Sequence, residues 1–85
     1  MTVTQVDSLL RAHIPTGASH EHVITVLDSL HVEHSPFNPQ DRYVLAMWRK
    51  TARSMFEDRS IQARFLFDGY GRLLKYELKE LSTGT

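Results

Sequence analysis

The chain has 85 residues, ten basic against ten acidic side chains, and no cysteine. At that length it makes one domain with a small core, burying about 60 to 65% of the surface its unfolded chain exposes. A formal charge of zero lacks the positive surplus that phosphate backbones require, so nucleic acid is not an expected partner, and the absence of cysteine removes disulfide staples and thiolate metal sites.

The longest apolar run, Tyr43 to Trp48, is far shorter than the roughly 20 residues that cross a bilayer, and the amino terminus carries neither a basic flank nor an apolar signal segment. A soluble chain without a transmembrane segment is expected. It belongs in the cytoplasm if Met1 is the native start, and in the periplasm or cell envelope if a leader has been removed.

Thr2-Val3-Thr4-Gln5 has the pattern of a capping box, and Val3, Val6, Leu10 and Ile14 follow helical spacing until Pro15 and Gly17 stop the helix. Ser19 is a good N-cap for a second helix, whose stripe is Val23, Leu27 and Leu30, thickened by Ile24. His31 falls where a left-handed residue closes a helix, a conformation His tolerates better than most side chains although Gly suits it better, so His31 is expected to be strained or frayed. The segment Val32 to Asp41, with Ser35-Pro36-Phe37-Asn38-Pro39, reads as an irregular connector.

Residues 43 to 54 fit either a buried strand or a short helix by periodicity. A strand is the economical choice, because a two-stranded hairpin alone is marginal in water and a third strand completes a sheet that two helices can cover. Glu57-Asp58-Arg59 then serves as the turn. Residues 61 to 67 and 72 to 80 form a hairpin about Asp68-Gly69-Tyr70-Gly71, with Ile61, Ala63, Phe65 and Phe67 on one side of the first strand and Leu74, Tyr76 and Leu78 on one side of the second. A two- or four-residue loop puts both sets on one face and pairs Phe65 with Leu74, Ala63 with Tyr76 and Ile61 with Leu78; a three-residue loop slips the register.

The predicted fold is therefore α+β, a single domain over residues 1–85 in which two N-terminal helices pack on a three-stranded antiparallel meander (ααβββ). Its core is Val6, Leu10, Val23, Leu27, Leu30, Ile61, Phe65, Phe67, Leu74, Tyr76 and Leu78, with Trp48 joining it. Residues 82–85, small and polar, are expected as a flexible tail.

This order of elements, together with Ile14-Pro15-Thr16-Gly17-Ala18-Ser19 leading into His22-Val23-Ile24-Thr25-Val26-Leu27, and Phe65-Leu66-Phe67-Asp68-Gly69-Tyr70-Gly71-Arg72-Leu73, resembles the small-protein-A-like (BamE) domain of bacterial outer-membrane lipoproteins. Each repeat of the β-lactamase inhibitory protein is similar. The family follows its second helix with Gly and a nearby Pro, where this chain has Leu30-His31-Val32-Glu33, and the lipid-bearing cysteine is absent. The resemblance implies a non-enzymatic domain that binds proteins, without membrane anchoring.

The residues themselves carry no catalytic constellation. No Gly-x-Ser-x-Gly elbow accompanies the serines, and the glycines after Asp68 join strand to strand, with no helix N-terminus to receive a phosphate. All five histidines lie between positions 13 and 34, but His20 and His22 are about 200° apart around a helix, unlike ligands at i and i+4. No metal or cofactor is expected. His13 instead suits the dipole at the end of the first helix.

Arg49, Lys50, Arg53, Arg64 and Lys75 make a basic stripe balanced by Asp58, Glu77 and Glu80, as on a solvated sheet face. On that face Arg64, Leu66, Leu73 and Lys75 form the candidate partner-binding group, two leucines flanked by charges, serving a protein partner or self-association. The alternative is a small-ligand or metal-sensing domain built on the histidine-rich region 13–34, and after it a small enzyme.

Overall fold

Thr2 opens α1 (Val3–His13) with a complete capping box: its hydroxyl accepts from the Gln5 N–H, and the Gln5 side-chain oxygen accepts from the Thr2 N–H. Ser19 caps α2 (His20–Ser29) by accepting from the His22 N–H at 3.1 Å. The computed structural model describes residues 1–53 and 57–84. It lays both helices on one face of a four-stranded antiparallel sheet in the order β1-β2-β3-β4.

His31 has the expected left-handed conformation, with a φ of 57°, but the helix end is hydrogen-bonded rather than frayed. The Val32 N–H reaches the Leu27 carbonyl at 2.9 Å and the His31 N–H reaches Asp28 at 3.1 Å, the reciprocal pair that satisfies the last carbonyls of a helix. The chain leaves α2 pointed back at the sheet. There it forms a strand the sequence reading missed: β1 (Glu33–His34) pairs with β2 (Tyr43–Arg53), Glu33 opposite Met47 and His34 opposite Ala46. Ser35 prolongs the contact, donating its N–H to the Leu45 carbonyl at 2.8 Å and accepting the Leu45 N–H on its hydroxyl at 3.0 Å. The meander therefore has four strands, and the connector of residues 32 to 41 is partly sheet. Asn38 then turns the chain, its side-chain oxygen accepting from the Gln40 and Asp41 N–H groups.

The strand over 43–53 is as expected, while Ser54 lies outside the described residues. Glu57-Asp58-Arg59 is not the turn. It begins β3 (Glu57–Phe67), with Asp58 opposite Arg53 and Arg59 opposite Ala52, and an irregularity between Trp48 and Ala52 absorbs the mismatch. Ser82, Thr83 and Gly84, expected as tail, belong to β4 (Leu73–Gly84), where they face Arg59, Asp58 and Glu57.

The last hairpin corrects the expected register. Phe65 pairs with Tyr76, Ala63 with Leu78 and Ile61 with Glu80, a displacement of two residues from the predicted partners. The cause is the turn. Asp68 stands opposite Arg72, accepting its N–H on the carboxylate at 3.0 Å and donating its own N–H to the Arg72 carbonyl at 2.9 Å. Three residues remain between them, with Gly71 at a φ of 76°, and a bulge between Leu66 and Phe67 adds one residue, Leu74, to β4 and restores the facing of the strands. Leu73 enters the core at 3% exposure and Leu74 is turned out at 59%, the reverse of the expected pair.

Val6, Leu10 and Ile14, then Val23 and Leu27, meet Val44, Ala46, Ile61, Ala63, Phe65, Phe67 and Leu73 to form the core. Trp48, Tyr76 and Leu78 are partly buried against it. Leu73→Ala is expected to cost about 2–4 kcal/mol in urea unfolding, whereas Leu74→Ala should stay within about 0.5 kcal/mol. Equal costs would place the bulge elsewhere.

Candidate functional site

Because side chains alternate along a strand, covering one face with helices leaves the other to three rows of residues. Across the sheet these run Tyr43, Leu66, Lys75, then Leu45, Arg64, Glu77, then Met47, Gln62, Lys79. No described element covers them. Tyr43, Leu45, Met47 and Leu66 are half-buried among their neighbours, while Arg64, Lys75, Glu77 and Lys79 are exposed. The Arg64 guanidinium lies 5.7 Å from the centre of the Tyr43 ring, close enough for a cation–π contact. Beside β1 the same face holds a shallow recess of about 200 Å³, lined by Leu45, Met47 and Gln62 with Glu33 and Arg49 at its edge, where those two form an ion pair.

Of the four candidate partner-binding residues, the structure gathers Arg64, Leu66 and Lys75 on this face: Leu66 and Lys75 pair directly, and Arg64 faces Glu77. Leu73 does not join them. The bulge turns it inward, so the leucine pair anticipated on the outer face does not exist. Tyr43, Leu45 and Met47 were missed. Their signal was the six-residue apolar run itself, which is apolar at odd and even positions alike because one set fills the core and the other lines the outer face. Of the basic stripe, Arg49 pairs with Glu33, and the side chains of Lys50 and Arg53 lie outside what is described.

The histidines go to separate tasks. His20 stacks on Phe37 with ring centres 4.0 Å apart and meets Phe67 edge-on, and the His22 ring contacts the His13 carbonyl oxygen at 3.3 Å. His31 closes α2. Among the described residues no group of three or more His, Asp or Glu side chains is placed to hold a metal ion. His34 sits between two acceptors, its Nε2 2.6 Å from the Asp28 carboxylate and its Nδ1 2.7 Å from the Ser35 carbonyl oxygen. Both nitrogens can donate only in the imidazolium form, and these bonds, Asp28 first, raise its pKa above the ordinary value against the opposing effect of burial.

The cleft between α1 and the start of β4, about 410 Å³, brings Asp7, Arg11, Lys75 and Tyr76 together. The Tyr76 hydroxyl donates to the Asp7 carboxylate at 2.5 Å and Arg11 Nε donates to its other oxygen at 3.0 Å. The Tyr76 bond, more than Arg11, pulls the Asp7 pKa down, while desolvation and then Asp7 push Tyr76 up. Each group is thereby moved further from neutrality. A general acid or base works best near the operating pH, so the shifts favour a fixed hydrogen-bonded clasp between α1 and β4 over proton transfer. Asp68 is likewise held down, by the Arg72 N–H first, and is spent on its own turn.

Comparison with family models, curated proteins and solved structures finds no match to this chain.

The His34 contact sets a pH dependence. A histidine whose pKa is raised on folding stabilises most below its unfolded value, about 6.5, and that contribution is lost as pH rises through the folded value. Unfolding measured between pH 5.5 and 8, from about one unit below the unfolded value to about one and a half above it, should show stability declining across this window. Asp28→Asn should flatten the decline; an unchanged slope would assign it to another group.

Proposed function

We propose that this chain is a non-enzymatic protein-binding domain, on the small-protein-A-like plan that its sequence resembles, and that its outer sheet face is the docking surface. The observation that carries the reading is the uncovered patch of Tyr43, Leu45, Met47 and Leu66 within a rim of Arg64, Lys75, Glu77 and Lys79. An apolar centre with a charged rim is the anatomy of a protein interface: the centre supplies area to bury, and the rim sets orientation. Two helices followed by an antiparallel meander support the resemblance, with β1 as an addition. The non-enzymatic reading is supported by the engagement of Asp7, Tyr76, Asp68 and His34 in contacts that hold the fold.

The test replaces Leu45 and Leu66 with Thr and Arg64 with Glu, leaving buried Leu73 alone. The variant should keep its far-UV circular dichroism and lose the proteins that the parent domain captures from its source cell. A control on the exposed side of α1, Thr4→Glu, should retain them. Capture surviving the triple change would exclude this face.

A further inference from the structure

β4 is the last strand of the sheet, and its backbone can be followed residue by residue. The Phe67 N–H donates to the Arg42 carbonyl at 2.9 Å, on the β2 side, so odd-numbered residues of β3 direct their backbone groups to β2 and even-numbered ones to β4. Leu66, Arg64 and Gln62 therefore bond Lys75, Glu77 and Lys79, their register partners. Tyr76, Leu78 and Glu80 between them turn N–H and C=O away from β3. At Leu73 the corresponding outward groups are occupied, donating to Ala18 at 2.7 Å and accepting from Gly17 at 2.9 Å. Beyond it, no described strand lies on that side of β4.

We propose that β4 is a self-association edge, on which two copies of this chain pair antiparallel about a two-fold axis at Leu78 and join their sheets into one of eight strands. The charge order selects a second copy as the occupant and fixes the register. Lys75, Glu77 and Lys79 share the outer face, and a two-fold axis at Glu77 sets Lys75 against Lys79 and Glu77 against itself, which is repulsive. An axis at Leu78 sets each Glu77 opposite the partner copy's equivalent of Lys79, giving two Lys–Glu pairs. An axis at Tyr76 also gives two such pairs, between residues 75 and 77, but α1 stands over Tyr76, which holds Asp7. That axis brings both α1 helices over one point, closer than the 8–10 Å about which helices pack. With the axis at Leu78, each Tyr76 faces a Glu80, four residues or about 13 Å along the strands, and the helices clear one another.

In this arrangement the outward groups of Tyr76, Leu78 and Glu80 meet the same set on the second copy in reciprocal pairs. The axis is perpendicular to the sheet, so both helical layers lie on one side and both outer faces on the other. An edge contact of this size is a weak, reversible one, with a dissociation constant on the order of 100 µM.

Sedimentation equilibrium of the full chain up to about 1 mM reads the association directly. A monomer–dimer equilibrium is expected. Hydrogen exchange across that concentration range should show protection growing at the amides of Tyr76, Leu78 and Glu80, with those of Lys75, Glu77 and Lys79 protected at every concentration. Glu77→Lys and Lys79→Glu should each weaken dimerisation by at least about tenfold, and the double exchange should restore it, which no simple loss of folding would do. A monomer throughout the range, or protection that does not alternate, overturns the proposal. So does an axis elsewhere, which would show as Lys79→Glu leaving the dimer unchanged or strengthening it. Because none of its three changes lies on β4, the triple variant at Leu45, Arg64 and Leu66 should still dimerise, and loss of partner capture there leaves this reading intact.

Discussion

The loop between the helices and the tip of the last hairpin hold each other in place, and the rest of the fold is arranged around that clasp. Leu73 exchanges both of its backbone groups with Gly17 and Ala18, and the His20 N–H, first of α2, donates to the Gly71 carbonyl at 2.9 Å. Gly71 leaves no alternative to glycine, since a Cβ there would stand 2.8 Å from the His20 ring and its φ is positive. The hairpin tip thus caps a helix that begins 51 residues earlier in the chain, and the helix aims a ring at Phe37 and Phe67 that closes the end of the core. The three-residue loop, the bulge and the inward turn of Leu73 follow from one requirement: the tip has to meet the loop.

What the sequence disclosed was whatever depends on residues a few positions apart. Thr2 with Gln5, Ser19 with His22 and the left-handed His31 were legible because caps and closures are local. The division of the last hairpin into an apolar and a polar face was legible too, since it depends on alternation alone. The pairing of β1 with Met47 and Ala46 was not, because a two-residue strand has no period. Nor was the shift at Leu74, where a bulge exchanges the roles of two adjacent leucines and leaves composition untouched. The same exchange removed one of the four proposed contact residues. The larger part of the outer face, Tyr43 to Met47, was hidden because a strand apolar on both sides looks like a core strand.

The charged groups follow a common pattern. Asp7 joins α1 to β4 through Tyr76, Asp28 joins α2 to β1 through His34, and Glu33 joins β1 to β2 through Arg49. Each of these three contacts joins two different elements. In a domain with so small a core such contacts supply orientation more than energy, since exposed ion pairs are worth well under about 1 kcal/mol each. Two of them hold the helices to one face, and no described element covers the opposite one.

The Gly17 to Leu73 contact also bears on the order of events when the chain is made. Both helices belong to the first third of the sequence, but much of the surface they rest on, Ile61 to Leu73, comes near the end. Contacts so distant in sequence require a long loop to close before they return any energy, which slows folding. During synthesis the helices would emerge before the strands that cover Val6, Leu10, Val23 and Leu27, and their full docking must wait for Ile61 to Leu73. The helices of a domain arranged this way dock only once its last hairpin has been made.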